Sequence, residues 1–319
     1  MTLSLIVNPF AGGGRAGRAL PAVRGMLEAL GLEHHVEPTR SLDHARELAR
    51  AATAAGETAA AFGGDGLIGA VAEAISDTGG VLGVLPGGRG NDFARVLGIP
   101  LDPREACGVL ATGSIRALDL GRVNSRTFIG IASCGFDSVA NRIANETRVV
   151  RGNLVYTYGA IRAIAGWHST TFTITVDGGT TRLITGYTIA AANSKFYGGG
   201  MMVAPQATLD DGLLDLVIIS DMPKLRFVAL LPTVFKGDHV KHAGVEVLRC
   251  ASVEISASRP FTMYADGDPI AELPVTVSVL PGAIRTIVPT LEPVPGAAGP
   301  VQGAAGPVPP DPPLAPRRA

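Results

Sequence analysis

Ala59-Ala60-Ala61-Phe62-Gly63-Gly64-Asp65-Gly66 decides the fold, because an apolar run of strand length feeds straight into a glycine turn, and helix formers with apolar spacing follow from Leu67 to Ile75. A glycine cluster between a strand and a helix is where phosphates bind. The backbone turns sharply there, and the free N–H groups and positive dipole end of the following helix face the anion. Two further loops repeat the arrangement. Asn8-Pro9-Phe10-Ala11-Gly12-Gly13-Gly14-Arg15 follows the apolar run Leu3 to Val7, and Pro86-Gly87-Gly88-Arg89-Gly90-Asn91-Asp92 follows Val81 to Leu85. Each alone reads equally well as a tight turn; three in one stretch point to a nucleotide site. None ends in the Gly-Lys-Ser/Thr of a P-loop, and none has the dinucleotide spacing G-x-G-x-x-G with an acidic residue about 20 positions on.

Outward from these loops, short apolar runs alternate with helical stretches: Glu33 to Glu37, then a helix from Ser41 to Ala55, with another helix from Ala16 to Leu30 before them. This is the βαβα pattern of a parallel sheet with helices on both faces, and ligands of such sheets bind outside the carboxyl ends of the strands. Beyond Gly121 the texture changes to alternation, as in Thr171 to Val176, Tyr187 to Ala191, Leu213 to Ile219, Val253 to Ser256 and Val275 to Leu280. These stretches predict antiparallel strands. Helical insertions are expected from Asp137 through Ile164 and from Pro223 to Lys236. The expected organisation is an α/β nucleotide-binding domain over 1–121, to which 283–291 return, and a β-rich sandwich over 122–282 that receives the acceptor. A Pro/Ala/Gly tail over 292–319 has a composition that cannot bury a core.

At 46% hydrophobic and 17% charged residues, 319 residues support real cores, and a net charge of −1 argues against nucleic-acid binding through a broad basic surface. The cysteines Cys107, Cys134 and Cys250 lack metal-ligand spacing and read as buried free thiols of a reducing cytoplasm. No window reaches the ~18 apolar residues of a membrane span, and no leader pattern opens the chain. The expectation is a cytoplasmic protein, soluble or peripheral to the membrane.

Asn8-Pro9 with its trailing glycines, Gly63-Gly64-Asp65-Gly66 and Gly90-Asn91-Asp92-Phe93-Ala94-Arg95 resemble the three N-terminal signatures of the diacylglycerol kinase catalytic family. Asp119-Leu120-Gly121, Gly135-Phe136-Asp137, Ala192-Asn193 with Tyr197-Gly198-Gly199-Gly200, Asp211-Gly212-Leu213-Leu214-Asp215 and Asp266-Gly267-Asp268 resemble further landmarks of it, in order, so the resemblance covers residues 1 to about 290. It implies a lipid kinase that transfers the γ-phosphate of ATP, with Mg²⁺, to a lipid hydroxyl at a membrane surface, diacylglycerol first among the acceptors. Two other readings stand beside it. NAD kinase shares the Gly-Gly-Asp-Gly loop and the two-domain plan, and a weakly catalytic nucleotide- or lipid-binding regulator accommodates the departures below. A homodimer through exposed β-edges also stays open.

The site residues follow from the residues and the resemblance together. Backbone N–H groups of Asn8, Phe10, Ala11 and Gly12, beside Pro9, and of Gly63, Gly64, Asp65, Gly66 and Leu67 form the expected phosphate cradle, joined by Gly88, Arg89, Gly90 and Asn91. Thr39 aligns with a nucleotide-contacting threonine of the family. Asp65, Asp92 and Asp119 are expected to converge on Mg²⁺ with ATP, although an isolated Asp in a loop reads first as an Asx-turn. Asp268 takes the place of the family's general base, normally a glutamate, and is one methylene shorter. Leu67 and Arg89 stand where the family has threonines, and Arg89 supplies a fixed charge suited to phosphate. The resemblance further implies a structural Mg²⁺ at Thr208, Asp211 and Leu213, where an Asp-Gly hairpin is the plain alternative. Arg15, Arg18, Arg142, Arg148, Arg151 and Lys195 are candidates for anionic headgroups, and Val149, Leu154, Val155 and Tyr158 for an acyl groove, with surface charge and core packing as the plain alternatives.

Overall fold

Strand Thr58–Gly63 is buried along its whole length, and its neighbours Thr2–Val7 and Val81–Pro86 are buried in all but their first residues. Strands covered on both faces are the mark of a parallel sheet between helices, and the alanines 59–61 let those helices approach closely. The computed structural model describes residues 1–76, 78–147 and 154–290, without the side chains of 144–146, 154–157 and 160. Arg148, Val149, Arg151, the side chains of Leu154 and Val155, and the tail 292–319 therefore lie outside the described residues.

The parallel strands pair in the spatial order Glu33–Pro38, Thr2–Val7, Thr58–Gly63, Val81–Pro86. The chain moves first to one side of Thr2–Val7 and then to the other, which makes a topological switch point between it and Thr58–Gly63, the place where open α/β sheets bind ligands. Register aligns the carboxyl ends: Val7 pairs with both Pro38 and Phe62, Phe62 with Leu85, and Gly63 with Pro86. All three glycine loops, and Thr39, consequently leave the same edge.

Helix Ala11–Ala29 begins five residues earlier than the sequence pattern predicts, because Gly12, Gly13 and Gly14 continue the turn with φ of +62°, +71° and +84°. Only glycine adopts three such residues in a row without strain. The helix expected from Ser41 to Ala55 runs over Leu42–Ala54, and Ser41 caps it, its hydroxyl accepting the His44 N–H at 3.1 Å.

Among the described residues fifteen strands form one hydrogen-bonded network, and two long strands join its parallel and antiparallel parts. Ser114–Val123 runs antiparallel to Val275–Val288, with an irregularity between Leu280 and Ile284. Past that irregularity Arg285 and Thr286 pair in parallel with Val81 and Leu82, so the end of strand Val275–Val288 completes the first sheet. Ile284, Ile287 and Val288 pack in the core of the α/β half, whereas Val275, Val277 and Val279 pack in the second core with Phe172, Ile174 and Leu216. Cys107, Cys134 and Cys250 are buried and free, and burial pushes their thiols up, Cys107 to about 11 and Cys250 to about 12.

Candidate functional site

The three loops meet glycine to glycine. A Cβ at Gly88 would lie 2.5 Å from the Gly64 Cα, and one at Gly12 would lie 2.5 Å from the Gly87 carbonyl oxygen, so side chains at these positions would hold the loops apart. Arg15 donates to the Gly88 carbonyl at 2.7 Å and Arg18 to the Gly13 carbonyl at 3.3 Å. Both guanidiniums brace the loops through these bonds while staying exposed. Asn91, buried and in left-handed conformation, clamps the third loop by accepting the Gly88 N–H at 2.8 Å and donating to its carbonyl at 3.2 Å.

The cradle is narrower than the sequence suggests. In the first loop the Asn8 N–H continues the sheet to Phe62, the Phe10 N–H is taken by the Asn8 side chain, and the Ala11 N–H goes to the Asn8 carbonyl. Pro9 has no N–H and only accepts, from Gly17. Phe10 itself is 82% exposed. In the second loop Leu67 faces the core and its N–H donates to the Gly64 carbonyl. Asp65 and Gly66 sit in the first turn of helix Asp65–Ile75, where N–H groups have no partner within the helix. Thr39 continues the sheet through its N–H to Val7 and points its hydroxyl at the Ser41 carbonyl.

Asp65 and Asp92 flank Gly90. A Cβ there would be 3.3 Å from Asp65 Oδ2 and 3.4 Å from Asp92 Oδ2, so the missing side chain leaves a space between two carboxylates. Asp65 Oδ1 accepts the Phe93 N–H at 3.0 Å and Asp92 Oδ2 accepts the Gly199 N–H at 2.7 Å, while Asp92 Oδ1 is buried without a hydrogen-bond donor. Arg95 stands 3.8 Å from that atom. Burial raises the Asp92 pKa and the Asp65 charge raises it further, against the pull of the Gly199 N–H and Arg95. Two carboxylates, one with an orphaned oxygen, around a side-chain-free space fit a hard divalent cation with phosphate oxygens and water.

Asp119 does not join them. Its carboxylate accepts the Gly212 N–H at 2.8 Å and the Gly282 N–H at 2.7 Å, tying two turns of the β-rich half to strand Ser114–Val123. Nor do Thr208, Asp211 and Leu213 fit an ion as arranged. Asp211 Oδ1 accepts the Leu213 N–H at 3.0 Å, and its Oδ2 accepts both the Thr208 hydroxyl and the Arg249 guanidinium. A fixed cation already faces the carboxylate there, and we derive nothing through a metal at this turn.

Opposite the glycine loops stands the turn Ala265-Asp266-Gly267-Asp268. Asp268 is exposed, and a Cβ at Gly66 would lie 4.0 Å from its Oδ2, so its carboxylate hangs over the phosphate-loop helix. Asp266 carries the support. Its oxygens accept the N–H groups of Ile129 at 2.8 Å, Gly130 at 2.9 Å and Ile131 at 3.2 Å. In the sequence Asp266 is one residue of the Asp-Gly-Asp motif, and its spacing gives no sign that it, unlike Asp268, is locked by backbone donors. Tyr197, whose hydroxyl accepts from Asn141 at 2.6 Å, lines the same cavity with Asp65, Asp92, Phe93 and Asp266, and burial pushes its phenol well up.

Burial pushes the Asp266 carboxyl up to about 7, Asp65 adding to the rise against the pull of the three N–H groups. The folded chain thus keeps a proton that the unfolded chain releases near pH 4. This group's stabilisation is complete below that pH and is lost as pH rises through about 7, by roughly 4 kcal/mol at most from about 1.4 kcal/mol per pKa unit. The thermal midpoint should fall between pH 4 and 7 more steeply in the wild type than in Asp266→Asn; equal slopes would remove Asp266 from the titration.

Comparison with known proteins agrees with this architecture. The diacylglycerol kinase catalytic domain matches residues 2–123, and the YegS C-terminal NAD kinase beta sandwich-like domain matches residues 130–288. The chain is 31% identical over 295 residues to the diacylglycerol kinase of Mycobacterium tuberculosis, covering 90% of this chain and 95% of that one. It is 34% identical over 286 residues to the "Probable lipid kinase YegS-like" of Pseudomonas aeruginosa, covering 86% and 90%. The crystal structure of a diacylglycerol kinase from Bacillus anthracis str. Sterne shares the fold, with a TM-score of 0.69 at 20% identity over 90% of this chain and 96% of that one.

Proposed function

Since this chain belongs to the diacylglycerol kinase catalytic-domain family and is a kinase, we propose that it transfers the ATP γ-phosphate to a lipid hydroxyl in a Mg²⁺-dependent reaction, making phosphatidate from diacylglycerol. The observation that carries this reading is the Asp268 carboxylate over Gly66 in the first turn of helix Asp65–Ile75, the helix that Asp65 begins. Asp268 takes the proton of the lipid hydroxyl as its oxygen bonds to the γ-phosphorus and the bond to the departing ADP breaks. Asp65 and Asp92 would hold Mg²⁺, which would supply positive charge to offset that of the phosphates. The glycine edge positions the nucleotide, and the second half of the chain brings Asp268 and Asp266 to it.

No helix among the described residues is long and apolar enough to cross a membrane, and on this reading the enzyme works peripherally on the cytoplasmic face. NAD is the other acceptor to test. A panel of diacylglycerol, monoacylglycerol, ceramide, a sphingosine-like amine and NAD, each offered with γ-labelled ATP, separates them, and label in NAD alone would overturn the proposal.

Arg89 is exposed, has no partner among the described residues and sits between Gly88 and Gly90. On this reading it meets the ATP phosphates. Arg89→Ala should raise the KM for ATP about tenfold, the loss of one charge-assisted contact, and leave kcat nearly unchanged. Arg89→Lys should recover part of the loss, and an unchanged KM would make Arg89 a solvated loop charge.

A further inference from the structure

The helical segment made of Lys224–Leu230 and Leu231–Lys236 is apolar on both sides. Phe227, Leu230 and Val234 point inward, and Phe227 stacks on Tyr187 with ring centroids 3.9 Å apart and meets Phe136 edge-on at 4.8 Å. A surface helix anchored this way normally turns charged residues outward. Here Leu225 is 87% exposed, Phe235 58% and Val228 44%, with Ala229 and Pro232 exposed among them. The charges on the segment are Lys224, Arg226 and Lys236, all exposed and all positive. The acidic neighbours at either end are engaged elsewhere, Asp221 by the Ser169 hydroxyl and Asp238 by Lys241.

The C-terminal end of this segment connects to the candidate site through a short hairpin. Gly237, closing the segment, packs on Met202 and Pro205, and His239 bonds the Val203 carbonyl at 2.9 Å. Met201–Met202 pairs with Phe196–Tyr197, the hairpin whose Gly199 N–H holds Asp92.

We propose that residues 224–236 dock the protein on an anionic lipid bilayer, with Leu225, Val228 and Phe235 in the acyl boundary and Arg226 and Lys236 among the headgroups. The inference rests on the lipid-kinase reading, which puts the acceptor in a bilayer. Apolar residues flanked by Lys and Arg suit that interface, where both faces of the segment find apolar surroundings. A second copy of the chain suits it poorly, because a two-fold contact would set the same three positive charges against themselves.

The test is partition of the full chain onto phosphatidylcholine vesicles with and without phosphatidylglycerol, read by sedimentation. The wild type should bind the anionic vesicles, and Leu225→Glu with Phe235→Glu should weaken binding by at least about tenfold. Arg226→Ser and Lys236→Ser should each weaken it about fivefold on anionic vesicles. Thermal midpoints and phosphate transfer to acceptor in detergent micelles should stay at wild-type values. Wild type that ignores anionic vesicles, variants that bind as wild type does, or a dimer that Leu225→Glu with Phe235→Glu dissociates would each overturn the docking surface. Vesicle binding needs no turnover, so a chain that binds through these residues and phosphorylates no lipid supports the docking surface while removing the lipid-acceptor reading.

Discussion

Asp268→Asn is expected to lower kcat by about 10²- to 10⁴-fold, the usual range for removing a positioned general base, and to leave the KM for ATP nearly unchanged. The side chain is exposed, and no hydrogen bond joins it to another described residue, so the fold should not register the change. Its position over Gly66 is instead set by Asp266, two residues earlier, through the N–H groups of residues 129–131. Asp268→Glu lengthens the arm by one methylene toward the family's usual residue and should keep or raise kcat. A base about 1 Å from its optimum loses rate steeply, and the glutamate variant measures that gap. If Asp268→Asn turns over like the wild type, the proton goes elsewhere and the proposed chemistry is wrong.

Asp92→Asn should lower kcat/KM by about a thousandfold and raise the Mg²⁺ concentration needed for half-maximal rate, since it removes one of two charges beside the phosphate loops. The same substitution should leave the thermal midpoint in place or raise it. Asp92 is buried, its Oδ1 has no hydrogen-bond donor, and burial and Asp65 both disfavour its charge. An asparagine still accepts the Gly199 N–H and relieves that repulsion. Loss of activity without loss of stability separates a ligand-holding role from a structural one. A large drop in midpoint with proportionate loss of activity would assign Asp92 to the fold.

The parallel sheet was legible because its signals are local. Apolar runs and glycine turns each act within a few residues, and register then placed Asn8, Thr39, Gly64 and Gly87 on one edge without further information. The carboxylates were harder to read, because what an aspartate does depends on which donors the fold brings to it. Asp119 sits in a motif like those of Asp65 and Asp92, yet Gly212 and Gly282, distant in sequence, claim both its oxygens. Asp211 lies in a turn that the family resemblance fits to a metal, and Arg249 on a neighbouring strand answers its charge instead. Phe10 and Leu67 lie beside the glycines as read, but the fold takes up their N–H groups, Phe10 through the Asn8 side chain and Leu67 through the Gly64 carbonyl. The outward face of residues 224–236 escaped because an apolar helix reads as core until its second side is seen to be bare.

The most direct measurement is phosphate transfer from γ-labelled ATP with Mg²⁺ into diacylglycerol in mixed micelles, run in parallel with the wild type and Asp268→Asn at equal protein and confirmed equal thermal midpoints. The account predicts labelled phosphatidate from the wild type and at least about a hundredfold less from the variant. Equal label from both, or none from a wild type that binds ATP, would contradict it.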